Sequence, residues 1–222
     1  MSRTGSPART AWPELIARFD LEPAGYARPD RLASACGLPV AIVDRLRGNE
    51  RFAGRLSGRL VSHFELPPCR GAPIGELDLA LALRPPQDIV DLPKVFGGLW
   101  HAASIRLVIA REDRQALIDA IGPRLYGFLL GRPPLGPSHK ADRADLLIGG
   151  IAGDGRAILG HWLQTLPPAF ARRLGLMLPD ERARELGAAA TPRRELGAAA
   201  TPSVLAALVG AAAEWYAGLP DA

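Results

Sequence analysis

Lysine is almost missing from this 222-residue chain: Lys94 and Lys140 stand beside twenty-five arginines. Cysteine is as scarce, Cys36 and Cys69 being the only two. So small a number excludes a disulfide framework and a cysteine-based zinc site, and reads as two buried thiols. There is no apolar run of about eighteen residues to span a bilayer. The opening Met-Ser-Arg-Thr-Gly-Ser-Pro-Ala-Arg-Thr has no apolar core, so no secretory signal is expected and the protein should be soluble and cytosolic. Also missing are a His-Glu-x-x-His pair and a Gly-x-Ser-x-Gly elbow. His63, His101, His139 and His161 are scattered, and His101 and His161 each sit beside a tryptophan, a setting for packing more often than for catalysis. No active site is assembled, and neither an enzyme nor a cofactor or metal is expected.

What is present is length and amphipathic pattern. A chain of this size buries roughly 70% of its unfolded surface and needs no staple. The net charge of +4 invites a nucleic-acid partner. That reading is discounted, because acids are interspersed almost one for one and phosphate recognition needs basic groups clustered on one face. The mix of arginine, alanine, glycine and proline is what a GC-rich genome writes.

Helical spacing recurs along the chain. Trp12, Leu15, Ile16 and Phe19 form one stripe. An irregular segment with aromatic anchors, Phe19–Pro29, follows it. Asp30 is placed to cap a helix ending at Gly37, and Pro39–Gly48 makes another with Ile42, Val43 and Leu46 inward. Asn49 caps a longer helix bearing Phe52, Leu56, Leu60 and Phe64, which runs until Pro67-Pro68. Its Arg51, Arg55 and Arg59 are also spaced by four. They read either as a solvated face or as a docking strip for an acidic partner, since arginine forks onto carboxylates.

Leu77, Leu79, Leu81 and Leu83 alternate like a strand, but Ala80 and Ala82 have poor strand propensity and no hairpin partner follows, so the reading leans to a buried helix with the strand left open. Pro85-Pro86 opens a short helix that Pro93 kinks or divides. Leu99–Ala110, Arg111–Ile121 and Pro123–Leu130 read as three consecutive helices, the first apolar on several sides and the packing centre. Arg132–Ser138 is a loop, and Asp142–Ile151 a short helix. Gly149-Gly150-Ile-Ala-Gly153-Asp-Gly155 reads as an inter-helix turn, with an anion cradle as its sharper alternative. Asp154 then caps a helix with Ile158, Leu159, Trp162, Leu163 and Leu166. Pro167-Pro168 starts another with Phe170, Leu174 and Met177.

Arg184–Pro192 recurs word for word at Arg194–Pro202, a tandem duplication in a linker whose length costs little. After it, Val204, Leu208, Ala211 and Trp215 stripe a last helix that docks on the body or binds elsewhere. The expected organisation is a mainly α chain. It has a disordered start (1–10), one helical domain (11–179), a linker (180–202) and a terminal helix (203–222).

Phe19-x-x-x-Pro23-x-x-Tyr26-x-x-Pro29 resembles the opening signature of the SctK (YscK) proteins of bacterial type III secretion systems. Ile105–Phe128 is similar to that family's central block, through Arg111-Glu112-Asp113, Leu117, Gly122 and Leu125-Tyr126-x-Phe128. Leu166-Pro167 through Leu178-Pro179 is similar to its closing block. The likeness covers about residues 12–179. It departs from the family around Leu79 and after Asp180. The resemblance implies a cytoplasmic adaptor of the sorting platform, peripheral to the inner-membrane apparatus. Such an adaptor joins the cytoplasmic domain of the ring protein (SctD-like) to the pod protein (SctQ-like). It needs neither catalytic residues nor membrane insertion. The rivals are a helical nucleic-acid-binding regulator and a small enzyme holding a phosphate ligand at the Gly149–Gly155 turn.

Overall fold

A computed structural model of the chain describes residues 12–138, 143–179 and 201–219. It is mainly α, with no strand among the described residues. The N-terminal eleven residues and most of the duplicated linker lie outside them.

The chain divides into two compact units. The first holds the described residues up to Val90 and those from Gln164 to Pro179. In it α1 (Trp12–Leu21), α2 (Pro23–Tyr26), α3 (Pro29–Cys36), α4 (Val40–Arg47), α5 (Glu50–His63) and α6 (Glu76–Ala82) follow in close succession. Local signals set most of these ends. Pro23 and Pro29 occupy first-turn positions where a missing N–H costs nothing. Gly37 ends α3 at φ 65°, a conformation strained for any residue with a Cβ. The Asn49 side chain accepts from the Arg51 amide at 3.0 Å and caps α5. The core is Ala24, Ala27, Leu32, Ala35, Val43, Leu56, Leu60, Leu66 and Leu176. The small Ala24 of α2 brings its backbone close to α5, where the Ser57 hydroxyl accepts from the Ala24 amide at 3.3 Å.

Three local expectations give way in this unit. Asp30 lies inside the first turn of α3 and pairs with Arg28, leaving Arg28 as the cap position. Ile42 is 39% exposed, while Val43 is buried and Leu46 packs half-buried against the core. α5 ends at His63, four residues before the prolines, where Glu65 turns the chain at φ 47°. The lean to a buried helix for the alternating leucines holds: they fall in α6, with Leu83 just past its end, Leu79, Leu81 and Ala82 face inward, and Leu77 stands out at 51%.

The second unit comprises Asp91–Leu163 and the described residues from Thr201. α7 (Pro86–Trp100), whose first residues belong to the first unit, is not divided at Pro93. α8 (Ala102–Arg106), α9 (Arg111–Ile121) and α10 (Pro123–Leu130) follow, with Gly122 at φ 89° and Pro123 as the stop and restart. α11 is one helix, Ala144–Thr165, whose last residues belong to the first unit, as does α12 (Pro168–Gly175). α13 (Pro202–Ala217) is capped by Thr201.

Leu99–Ala110 is therefore not one helix. α7 stops at Trp100, α8 is a single short run, and residues 107–110 are non-helical, with Ile109 85% exposed. The β-branched pair Val108-Ile109 lowers helix propensity, and Glu112 and Asp113 favour a fresh N-terminus at Arg111. Of that stretch Leu99, Trp100, Ala102 and Ile105 are buried, while the large buried side chains Leu92, Phe96 and Trp162 lie outside it, Phe96 and Trp162 meeting edge to face at 6.1 Å. The Gly149–Gly155 turn does not form, because all its glycines lie inside α11. Gly155 and Gly97 are needed there. A Cβ on Gly155 would meet the Pro93 carbonyl oxygen at 1.8 Å, and one on Gly97 the Ile151 oxygen at 1.9 Å. The helices touch backbone to backbone, and that contact overrides the low helix propensity of glycine.

Candidate functional site

The signature residues come together at one corner of the first unit. Phe19, buried at the end of α1, stacks on Tyr26 with centroids 4.8 Å apart, and on Phe170 at 6.0 Å. The Tyr26 hydroxyl donates to the Phe19 carbonyl at 2.8 Å. Pro23 starts α2 between the two aromatics and Pro29 starts α3 just beyond them, while the Arg28 amide donates to the Leu176 carbonyl at 2.9 Å. Phe19, Pro23 and Tyr26 are thus packed here, and Pro29 sets the start of the next helix. Burial pushes the Tyr26 phenol well above its ordinary range, an effect the nearby Arg173 charge only partly opposes.

Beneath the corner lies a group that sequence reading missed. Arg173, only 2% exposed, pairs with Asp20 at 2.6 Å and donates to the backbone carbonyls of Pro67, Ala169 and Asp20. Asp20 also accepts from the Cys69 amide at 3.0 Å. One ion pair thus ties α1, the loop after α5, and α12. A signal was available: Arg173 follows Phe170 by three and precedes Met177 by four, which puts it on the buried stripe. Both cysteines are free, Cys36 being half-buried. Burial drives the Cys69 thiol up to about 12, with Arg173 pulling the other way. A half-open groove of about 330 Å³ borders the corner, floored by Phe19, Tyr26, Leu83 and Met177. The ion pairs Arg18–Glu22 (3.2 Å) and Arg84–Asp88 (2.7 Å) involve residues that line it.

The arginine row lies on the outer side of α5. Arg51, Arg55 and Arg59 are all exposed. Arg59 is anchored, its Nε donating to the Ala35 carbonyl at 3.0 Å. Arg51 and Arg55 have no side-chain partner among the described residues.

The histidines do not converge. His101 Nε2 lies 2.8 Å from the Asp154 carboxylate, so Asp154 binds a side chain across the second unit instead of capping a helix. His63 packs edge-on against Phe64, His161 is exposed, and His139 is outside the described residues. No group of three His, Cys, Asp or Glu residues able to hold a metal occurs among the described residues.

No family model matches the chain, and no solved structure matches it. Two curated relatives do. Nodulation protein NolU of Rhizobium fredii is 34% identical over 91 residues, 37% of this chain and 40% of the relative. Nodulation protein NolU of Sinorhizobium fredii (strain NBRC 101917 / NGR234) matches with the same figures. The alignment thus spans less than half the length of either relative.

The chain is distantly similar to NolU over part of its length. The corner is closed by packing, and Asp20 and Arg173 are spent on each other. The α11 glycines have no N–H groups left for an anion, because an interior helical amide is committed to the carbonyl four residues back. A phosphate cradle at Gly149–Gly155 is thereby overturned.

Proposed function

We propose that this chain is a non-enzymatic adaptor of a bacterial type III secretion apparatus, of the SctK kind. It would join the cytoplasmic domain of the inner-membrane ring protein (SctD-like) to the pod protein (SctQ-like). The observation that carries the reading is the Phe19–Pro29 corner. Of the four residues of the resemblance, Phe19 and Tyr26 stack and hydrogen-bond around the buried Pro23, and Pro29 starts the helix that follows. The partial likeness to a nodulation protein of rhizobia supports a bacterial setting. No helix among the described residues is long and apolar enough to cross a membrane, which suits a peripheral cytoplasmic position. An adaptor acts by surface complementarity, and exposed arginines beside exposed aliphatic residues are material for that.

The test is a pull-down with the purified ring-protein cytoplasmic domain and pod protein from the same bacterium, using the full chain as bait. Retention of both is expected. Binding to neither overturns the adaptor.

A further inference from the structure

We infer that the outer side of α4 and α5 receives an acidic amphipathic segment of a partner protein. Its carboxylates meet Arg51 and Arg55, and its apolar residues lie on Val40 and Ile42. This inference rests on the adaptor reading and specifies the chemistry of one of its partners.

The first support is where the charge sits. Residues 28–59 contain seven arginines and three acids, a surplus of four, and the surplus of the entire chain is also four. Everything outside this segment is balanced. The net positive charge of the protein is carried by a cluster of three packed helices, and charges so grouped act together within a Debye length of about 8 Å.

The second support is which of those arginines are committed. Arg47 donates to the Ala27 and Gly25 carbonyls, Arg28 pairs with Asp30, and Arg59 is held on Ala35. These three brace the cluster. Arg51 and Arg55 are exposed, have no side-chain partner among the described residues, and stand one turn apart. Two planar forks at that spacing match carboxylates repeated every fourth residue on an opposing helix.

The third support is apolar. Leu38, Val40 and Ile42 are 39%, 45% and 39% exposed. They begin just past the end of α3, whose last turn Arg59 grips through Ala35. A single exposed aliphatic residue needs no explanation, but three within five residues at the start of α4, a helix packed against the arginine-bearing α5, have the composition of an interface. A nucleic acid fits less well. It would leave the aliphatic residues unused and would bring phosphates toward Asp44 and Glu50, which lie in the same segment.

The probe is a fluorescent amphipathic peptide with glutamate at every fourth position and leucines beside the glutamates. It is titrated into the full chain. The matching glutamine peptide and a mixed-sequence DNA duplex are the controls. The wild type should prefer the glutamate peptide. R51E/R55E should weaken that binding by at least about tenfold, since two attractive contacts become repulsive. V40S/I42S should weaken it severalfold, and R111E, in the other unit, should leave it unchanged. Melting temperatures distinguish these effects from misfolding, and R51Q/R55Q serves as the milder pair if the reversal unfolds the chain. Unaltered affinity in a folded R51E/R55E overturns the surface, as does equal binding of the glutamine peptide or tighter binding of DNA. In the pull-down, capture of both secretion partners unaffected by R51E/R55E overturns this surface and leaves the adaptor reading standing. Failure to capture either partner, with arginine-dependent peptide binding intact, supports the surface and strikes the adaptor reading.

Discussion

Asp20, Cys69 and Arg173 show how few residues hold the first unit's corner together. A guanidinium buried to 2% exposure is costly to desolvate, and it is sustained by a carboxylate at 2.6 Å and three backbone carbonyls. The neighbouring Cys69 thiol inherits a dry setting. Its pKa, near 9 for an ordinary thiol, rises to about 12. At neutral pH its thiolate population falls by about three orders of magnitude. In a C36S background, Cys69 should therefore stay unreactive to a disulfide reagent until denaturant is added; fast native labelling would contradict its burial. The sign for stability follows. The folded chain keeps a proton on Cys69 that the unfolded chain has lost, so this contribution is complete below pH 9 and disappears as the pH rises toward 12. Tyr26 is shifted in the same direction. Melting temperatures should decline across that window in the wild type, and less steeply in C69A.

At the scale of elements, glycine decides the second unit. Gly155 and Gly97 each face a backbone oxygen at under 2 Å from where a Cβ would stand, and a helix backbone cannot move aside as a side-chain tip can. G155A or G97A should cost about 1–3 kcal/mol through overpacking, more than the roughly 0.5–1 kcal/mol that alanine gains in helix propensity. Gly149 lies in the same helix with nothing within 4 Å of its Cβ position. G149A should thus stabilise by about 0.5–1 kcal/mol, and thermal melts of the three variants should show opposite signs. The same glycines explain what could not be read from the chain. α1, α5, α9 and α10 were legible because their stripes, caps and prolines are local. The Gly149–Gly155 stretch has turn composition, and the reason it is helical lies on α7, more than fifty residues away in sequence. Leu107–Ala110 misled in the opposite sense: it is apolar enough for a core helix, yet Leu107 and Ile109 stand in solvent. In the candidate site, the arginine row was visible from its spacing. The split between anchored Arg59 and unpartnered Arg51 and Arg55 was not, because it depends on where α3 ends.

For the molecule as a whole, the open question from the sequence was whether the last helix docks or serves elsewhere. In the structure α13 is part of the second unit. Trp215 packs on Phe128 at 5.2 Å, and Arg124 lies 5.7 Å over the Trp215 ring. The Arg124 guanidinium also donates to the Gly218 carbonyl, and Arg132 pairs with Glu214. The stripe facing inward is Leu205, Leu208, Val209, Ala212 and Tyr216, one position round from the row the spacing suggested, so Trp215 lies at its edge. Burying each of the four larger side chains contributes roughly 1.5–3 kcal/mol before ordering costs. A natural chain is stable by only about 5–15 kcal/mol in total, so their loss is not a small perturbation. A chain cut after residue 200 should therefore lose the fixed environment of Trp162, which is fully buried in the same unit. The readouts are a red-shifted tryptophan emission and a weakened near-ultraviolet dichroism signal. Adding the 201–222 peptide in trans should restore part of both if docking alone is at issue. If the cut chain keeps its tryptophan spectra, the contacts along α13 do not hold the second unit together and the helix is available to a partner.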